Sequence, residues 1–533
     1  MKRKSAKDNL EDKYLFFKIF SIIGSLTFLS RLLGYFRDFF IAKLLGAGLV
    51  SDAFFVAFKL PNLFRRLFAE GSLNSAFIPV LAGVREKKGR NEASNFLSKI
   101  FSITLVFLLF LVIFFEIMMP FIISMISPGF NEDSEKYELT IYLARLTFPF
   151  LLFICLSSLI GGFLNTVGKF AAMAFIPVIL NLTMLTVLFF FSFNEDSKQT
   201  ISLFLSASIS LAGIIQLIWL VLNLKKNHFN LNFKIKNLFK ISPEIKKLAK
   251  LFIPAVFGNG VYQLNLLVDM ILASTLVHGS ISYLYFADRV NQLPIGVIGI
   301  ALSTALLPIL STQIKKKEYK EANFTINNCL QIGIIFVLPC VIGILTLSNQ
   351  IIEILFVRGE FSNEDGLSTS LALTAFSFGL PAFILIKILA ANFFAREDTR
   401  TPVKVALVAV IINLILNLIL IKYYLHVGLA IATSISAWVN CLLLFFILKK
   451  RQFIKINKDT LNVFIKCSFA SILIGVFIII SKKSIIIFNI NDFFIVKFFK
   501  LFGTIFMSFS LYLAMLYLFK ISHFLRFNFG GKN

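Results

Sequence analysis

The chain has 533 residues, of which 58% are hydrophobic and 15% charged, and its mean hydropathy is +0.85. Soluble chains are about 45–50% apolar and about 25% charged, so this composition excludes an ordinary soluble enzyme, a disordered tail and a fibrous protein. The formal net charge of +25 would suggest nucleic acid as the partner of a soluble domain. In a chain this apolar we expect bilayer lipids to be the partner instead, and no nucleic acid.

Hydrophobic runs of about 20 residues recur along the whole chain, and this is the length that an α-helix needs to cross a bilayer. The runs do not alternate between polar and apolar residues, as the strands of a membrane barrel would. The sequence therefore predicts an all-α polytopic membrane protein of about fourteen transmembrane helices. The segments, numbered 1 to 14, cover residues 15–41, 50–82, 97–126, 140–165, 171–193, 200–223, 249–276, 283–310, 325–349, 368–394, 403–422, 427–448, 461–481 and 496–519.

Positive charge is unevenly divided between the connections of these segments. The two termini and the even-numbered connections carry about 33 lysines and arginines, against about 8 in the odd-numbered connections. Cytoplasmic loops of membrane proteins are enriched in these residues. Both termini are therefore predicted to be cytoplasmic, which agrees with an even number of spans.

The two halves of the chain share residues at nearly constant spacing. Asp38 and Gly48 correspond to Asp269 and Gly279, 231 residues later, and three further matches have offsets of 229 to 232 residues. We interpret this as a duplication in which segments 1–6 pair with segments 7–12, while segments 13 and 14 lie outside the repeat. Because six is an even number of spans, both halves insert the same way round, as in transporters built from parallel repeats.

The repeat divides the chain into four regions. Residues 1–224 form an N-terminal lobe, residues 225–248 a basic cytoplasmic linker, and residues 249–450 a C-terminal lobe. Residues 451–533 hold segments 13 and 14 and a cytoplasmic tail. Transporters of this architecture bind substrate between the halves, so the sequence favours alternating access.

Charged residues interrupt segments 1, 2 and 8. A cation at a helix centre costs about 2.5–3.5 kcal/mol on insertion scales, so these side chains must line a hydrated cavity or pair with each other. For Asp52, Arg66 and Glu70, nearer the span ends, interfacial snorkelling or a structural ion pair is an equal alternative. Cations outnumber the carboxylates, which indicates an anionic substrate, and guanidinium groups suit phosphate oxygens. The charged positions are Arg31, Arg37, Asp38, Asp52, Lys59, Arg65, Arg66, Glu70, Asp288 and Arg289.

A second candidate site consists of neutral oxygens and one carboxylate. Asp269 lies in the middle of segment 7, Asn413 and Asn417 are one turn apart in segment 11, and Thr433 is in segment 12. Small hard cations prefer such oxygen ligands, so either a Na⁺ site, a proton site or a hydrogen-bonded structural carboxylate fits. The sequence contains no motif typical of another metal, a catalytic nucleophile or a phosphate-binding loop, so we expect no cofactor and no enzyme activity.

Several motifs resemble those of the MurJ (MviN) family, which are lipid II flippases of the multidrug/oligosaccharidyl-lipid/polysaccharide exporter superfamily. The first is SRLLGYFRD at residues 30–38, followed by GAGLVSDAFFVAFKLPNLFRRLFAEGSLNSAFIPVLA at residues 46–82. Two others are YFADRVNQLPIGVIGIALSTALLPILS at 285–311 and FFAREDTRTPVKVA at 393–406. The resemblance covers essentially the whole chain, including fourteen spans.

The resemblance implies transport of undecaprenyl-diphosphate-linked disaccharide-pentapeptide from the cytoplasmic to the periplasmic leaflet of the bacterial inner membrane, for peptidoglycan synthesis. It implies lipid II as substrate, other cell-wall synthesis proteins as candidate partners, and a lipid-tail groove along segments 13 and 14. It also implies ion coupling in some relatives, where a carboxylate can stand at the position of Asn417. By motif position, the substrate-binding residues are Arg31, Arg37, Asp38, Arg65 and Arg289, with Asp52, Lys59, Arg66, Glu70 and Asp288 as cavity or gating candidates.

Membrane potential offers a driving force, because moving a negative charge out of a negative cell interior gains about 2.3 kcal/mol per 100 mV. Two alternatives remain open at the level of sequence. A flippase for another polyprenyl-diphosphate-linked glycan would bind its diphosphate in the same way. A cation-coupled small-molecule antiporter of the same superfamily would be expected to have an acidic cavity, which the surplus of arginine disfavours.

Overall fold

The computed structural model describes residues 2–229, 231, 242–484 and 493–521, with the side chains of residues 2–20, 69–72, 74–75, 253–259, 261–262 and 483–484 outside the description. Parts of the predicted linker at 225–248 and of the C-terminal tail therefore lie outside the described residues. The described chain is helical throughout, as predicted. Its helices are α1 (Lys2–Leu45), α2 (Leu49–Phe64), α3 (Asn74–Ile126), α4 (Ser134–Thr147), α5 (Phe150–Thr166), α6 (Phe170–Ala174), α7 (Ile176–Phe191), α8 (Lys198–Lys226), α9 (Pro243–Ser274), α10 (Ser280–Pro294), α11 (Ala301–Lys315), α12 (Tyr319–Phe356), α13 (Asn363–Phe394), α14 (Arg400–Lys450), α15 (Lys458–Ser484) and α16 (Phe494–Leu518).

The all-helical membrane fold with about fourteen spanning segments is confirmed. Two helices each contain two segments: α3 breaks at Gly89, where φ is 84°, and α14 breaks at Leu425, where φ is 50°. Among the described residues, ten stretches are long and apolar enough to cross a membrane. Segments 1 and 7 and most of segment 2 lie outside these ten stretches, and Gln263–Ser274 of segment 7 is a shorter apolar helix.

Segments 2 and 8 share an unusual feature, which agrees with their correspondence in the repeat. After Pro61, α2 passes into a π-helical stretch at Arg65–Leu73. After Pro294, α10 passes into a second π-helical stretch at Ile295–Ile300. Proline removes a backbone donor from the helix, so both segments depart locally from α-helical geometry beside their charged residues. π-helical turns of this kind are rare and frequently occur at functional sites.

Two buried hydroxyl groups compensate prolines inside helices. Pro61 has no N–H to offer the carbonyl of Ala57, and the hydroxyl of Thr147 donates to that oxygen at 2.9 Å. In the same way, Pro339 cannot serve the carbonyl of Ile335, and the hydroxyl of Tyr512 donates to it at 2.6 Å. An unsatisfied buried carbonyl is costly, so these contacts stabilise the proline-containing helices and tie them to α4 and α16.

The two C-terminal helices pack on α12. Their shared core is apolar and includes Ile335, Cys467, Ile474 and the fully buried ring of Tyr512. Lys497 of α16 also forms an ion pair of 2.9 Å with Glu353 of α12. Among the described residues, segments 13 and 14 therefore join the rest of their unit mainly through α12.

The chain divides into two compact units, Met1–Gly279 and Ser280–Asn533. Helix α9, which corresponds to segment 7 and opens the second repeat, belongs to the first unit. It contacts α3 and the π-helical stretch at Arg65–Leu73, and Glu244 in its first turn pairs with Lys88 of α3 at 2.6 Å. The domain boundaries inferred from the repeat remain a prediction.

Candidate functional site

The charged pair near the end of segment 1 is buried. Arg37 and Asp38 are only 6% and 5% exposed. The Nε and Nη2 atoms of Arg37 donate to Asp38 Oδ1 at 3.0 and 2.7 Å, and its Nη1 donates to Asn181 Oδ1 at 2.9 Å. Asn181, on α7, in turn donates to the backbone carbonyl of Ser30 at 2.9 Å. The guanidinium is thus held by charge-assisted bonds to α1 itself and to α7, which offsets the cost of its burial.

Arg31 lies two turns before Arg37 on the same helix and is exposed. The two arginines of α1 therefore differ in this structure: one is enclosed by hydrogen bonds, and the other is not covered by the protein. Both side chains occupy a stretch that the hydropathy pattern places within the membrane.

The charged side chains of segment 2 differ in how far they are buried in the protein. Asp52, in the first turn of α2, is 1% exposed and forms a 3.0 Å ion pair with Lys136 of α4. Lys59 is half-buried, Arg66 is exposed, and Arg65 donates through Nε to Asn62 Oδ1 at 3.1 Å. Burial therefore decreases from Asp52 through Lys59 to Arg66, which are spaced seven residues apart. The side chain of Glu70, the remaining candidate here, lies outside the described residues.

Segment 8 places Asp288 and Arg289 on α10, both half-buried. Arg289 Nη2 donates to the hydroxyl of Tyr285 at 2.7 Å, and its guanidinium lies 4.6 Å from the centre of the same ring. The Asp288 carboxylate accepts a short hydrogen bond from Gln292, one turn away. The aromatic face and hydroxyl of Tyr285 therefore orient the Arg289 guanidinium.

The candidate cation ligands are divided between the two units of the chain. In the first unit, Asp269 Oδ2 lies 3.5 Å from Asn265 Nδ2, one turn away on α9. In the second unit, the structure brings Asn413, Asn417 and Thr433 together inside α14. Asn417 donates to Asn413 Oδ1 at 2.9 Å, and Asn413 donates to Thr433 Oγ1 at 3.3 Å. Within the described part of the chain, no three His, Cys, Asp or Glu residues are grouped as metal ligands.

Three residues of these clusters were missed as site residues by the sequence analysis. They are Asn181, Lys136 and Tyr285, none of which was identified there as a site residue. A polar residue in an apolar run is the available signal for Asn181, and the position one helical turn before Arg289 is the available signal for Tyr285. For Lys136 no local signal exists, because a lysine near the end of a span is ordinary until its partner is known.

Two carboxylates outside the membrane-spanning segments are held ionised. A hydrogen bond from Lys88 lowers the pKa of Glu244 to about 2, with help from backbone and Ser242 donors. Partial burial raises the pKa of Asp398, but hydrogen bonds from Thr401 and the Arg451 guanidinium outweigh burial and lower it to about 2. Both carboxylates therefore keep their charge, and their connections, at neutral pH.

The chain matches the family model described as lipid II flippase MurJ over residues 41–518. A relative from Rickettsia prowazekii, named a probable lipid II flippase MurJ, is 38% identical over 504 residues, which cover 94% of this chain and 97% of the relative. A relative of the same name from Rhizobium tropici is 36% identical over 435 residues, covering 81% of each chain.

Two solved structures are similar to this fold. A lipid II flippase MurJ in an inward closed conformation matches with a TM-score of 0.79 and 28% identity, over 94% of this chain and 99% of that chain. An inward-facing multidrug resistance MATE family transporter of the MOP superfamily matches with a TM-score of 0.67, over 81% of this chain and 97% of that chain. Its identity of 15% means that this likeness concerns the fold alone. Since the family model spans most of the chain and a relative of 38% identity covers nearly all of it, the chain belongs to the lipid II flippase MurJ family, whose members are membrane transporters and not enzymes.

Proposed function

We propose that this chain moves lipid II from the cytoplasmic to the outer leaflet of the bacterial inner membrane by alternating access. The observation that carries the proposal is the family match over residues 41–518. It is supported by cations within spans of both units, at positions where lipid-facing side chains would be strongly disfavoured. The uneven distribution of lysine and arginine between connections supports a cytoplasmic position for both termini.

The substrate head group carries two ionised phosphates, and these require charged donors when they leave water. Guanidinium groups form paired hydrogen bonds with phosphate oxygens, which a lysine ammonium cannot do. We assign Arg31, Arg65 and Arg289 to this role, with Lys59 and Arg66 adding positive charge. The exposed Arg31 is available to a phosphate in the conformation described here.

Arg37 contributes in a different way. Three of its five guanidinium N–H groups donate to Asp38 and Asn181, so a phosphate that approaches Arg37 competes with these partners. The bond to neutral Asn181 is weaker than the charge-assisted bonds to Asp38 and is the one that a phosphate would replace. Arg37 and Asp38 then respond to the substrate as a unit.

Membrane potential can drive the cycle. Two negative charges that move outward from a negative interior gain about 2.3 kcal/mol each per 100 mV, and the empty cationic protein is drawn back by the same field. A coupling ion is a further part of the proposal, with Asp269 as the carboxylate and Asn413, Asn417 and Thr433 as neutral ligands. If Asp269 binds Na⁺, transport by purified protein in vesicles should depend on Na⁺, and Asp269→Asn should remove that dependence.

The decisive experiment measures the leaflet distribution of labelled lipid II in cells that rely on this chain alone. We expect Arg289→Ala to lower outward transport to background while the protein remains in the membrane. Lys422→Ala removes an exposed cation of α14 that lies outside the proposed site, and it should leave transport unchanged. Normal transport by Arg289→Ala would refute the assigned role, and absence of transport by the unaltered chain would refute the proposed function.

A further inference from the structure

The buried pair of Asp52 and Lys136 lies where α2, α4 and the end of α9 meet. Asp52 Oδ2 accepts from Lys136 Nζ at 3.0 Å and also from the backbone N–H of Gly279 at 2.8 Å. The two side chains are 1% and 3% exposed. One carboxylate oxygen thus connects elements of the first repeat to the loop that follows α9, a helix that opens the second repeat.

Lys136 is enclosed by further partners on the same side. Its ammonium lies 3.3 Å from His278 Nδ1 and 4.2 Å from the centre of the Phe130 ring. Because an ammonium can only donate, the Nδ1 atom of His278 must be the acceptor, which leaves the ring proton on Nε2. That Nε2 atom lies 3.6 Å from Asp133 Oδ2, at the start of α4. The sequence His278-Gly279 is therefore held at two successive residues.

A second contact connects the end of α9 to the segment that precedes α4. The short 3₁₀-helix Pro128–Glu132 lies directly against the end of α9, where Gly129 N–H donates to Ser274 Oγ at 3.3 Å. A Cβ atom added at Gly129 would lie 2.2 Å from the carbonyl oxygen of Ser274, so only glycine permits this approach. Ser274 itself is 3% exposed and is sealed by the contact.

The ion pair of Asp52 and Lys136 is chemically suited to a contact that forms and breaks. A buried ion pair adds little stability over apolar residues of the same size, whereas it makes the contact specific, since each charge is satisfied only by its partner. When this contact breaks, both charges regain hydration, which an apolar seal could not do. The edge of this contact is already accessible to solvent, because the side chain of His278 is 56% exposed.

We propose that Lys136 is a positioning residue of the transport cycle. It holds Asp52 on the Gly279 N–H, and together with His278 it forms a latch that keeps the outer end of α9 joined to α2 and α4. This inference rests on the proposed function, because a latch has a role only if the two sides of the protein open in turn. The connections that contain Lys136 and His278 are assigned to the outer side by the charge distribution.

Opening of the latch can be measured without measuring transport. Ser274→Cys is a conservative change that places a thiol beneath Gly129, and a membrane-impermeant thiol reagent added outside the cell reports its exposure. We expect slow labelling with the latch intact and severalfold faster labelling with Lys136→Met, which keeps the volume but removes the charge. Lys136→Arg keeps the charge and should restore slow labelling. The chain without Ser274→Cys gives the background from the native cysteines.

His278→Ala provides a second variant that does not leave a buried charge unpaired, and it should raise labelling in the same direction by a smaller factor. Unchanged labelling in both Lys136→Met and His278→Ala would overturn the latch. Loss of folded Lys136→Met protein, with His278→Ala labelling like the unaltered chain, would assign Lys136 a structural role only and would also overturn it. Arg289→Ala should abolish transport without affecting labelling, so failure of the latch and failure of the proposed function give different results.

Discussion

Replacing Thr147 by valine removes one hydroxyl beside the proline-containing turn of segment 2 and changes little else. Thr147 is fully buried, and its hydroxyl lies 2.9 Å from the Ala57 carbonyl and 3.1 Å from the Ala144 carbonyl. The Ala144 carbonyl already accepts from the backbone N–H of Phe148 at 2.8 Å, whereas Pro61 leaves Ala57 without its helical donor. The hydroxyl therefore matters mainly to Ala57, and a buried carbonyl that loses a donor costs about 1–3 kcal/mol.

We expect Thr147→Val to lower the free energy of unfolding by this amount, measured on purified protein in detergent by denaturant titration. The reasoning makes a sharper prediction for the double variant. Pro61→Ala restores a backbone N–H to the helix, so Ala57 regains a donor and Thr147→Val should cost much less in that background. An equal loss in both backgrounds would show that the hydroxyl acts elsewhere, and the proposed compensation would be refuted.

Three further predictions concern other contacts. Tyr512→Phe should destabilise the protein by about 1–3 kcal/mol in the same assay, because the Ile335 carbonyl loses its donor beside Pro339; a change near zero would contradict this. Asp398→Asn should lower the melting temperature at pH 7, and the difference from the unaltered chain should disappear as the pH falls from about 4 towards 2, since the lowered pKa makes the Asp398 carboxylate stabilising only while ionised. Arg37→Lys should impair lipid II transport in the leaflet assay despite its charge, because a lysine ammonium lacks the planar fork of donors with which Arg37 bonds Asp38 and Asn181; full activity would indicate that charge alone suffices.

The sequence determined the fold class, the number of spans and the family. Apolar runs of membrane-spanning length are a local property, because a helix in lipid must satisfy its own backbone hydrogen bonds. The motif around Pro61, including Lys59 and Arg65, is also local, and it identified the family before any contact was known. The grouping of Asn413 and Asn417 followed directly from their spacing of one helical turn.

Only the tertiary structure decided which charges are enclosed and by what. Arg37 and Arg31 look alike in the sequence, yet Arg37 is buried because Asn181, 144 residues away, completes its hydrogen bonds. Asp52 looked like a residue of a span end until Lys136 and the Gly279 N–H were found on the same carboxylate oxygen. Burial of a charge depends on partners that are distant along the chain, and hydropathy, which sums neighbouring residues, contains no information about them.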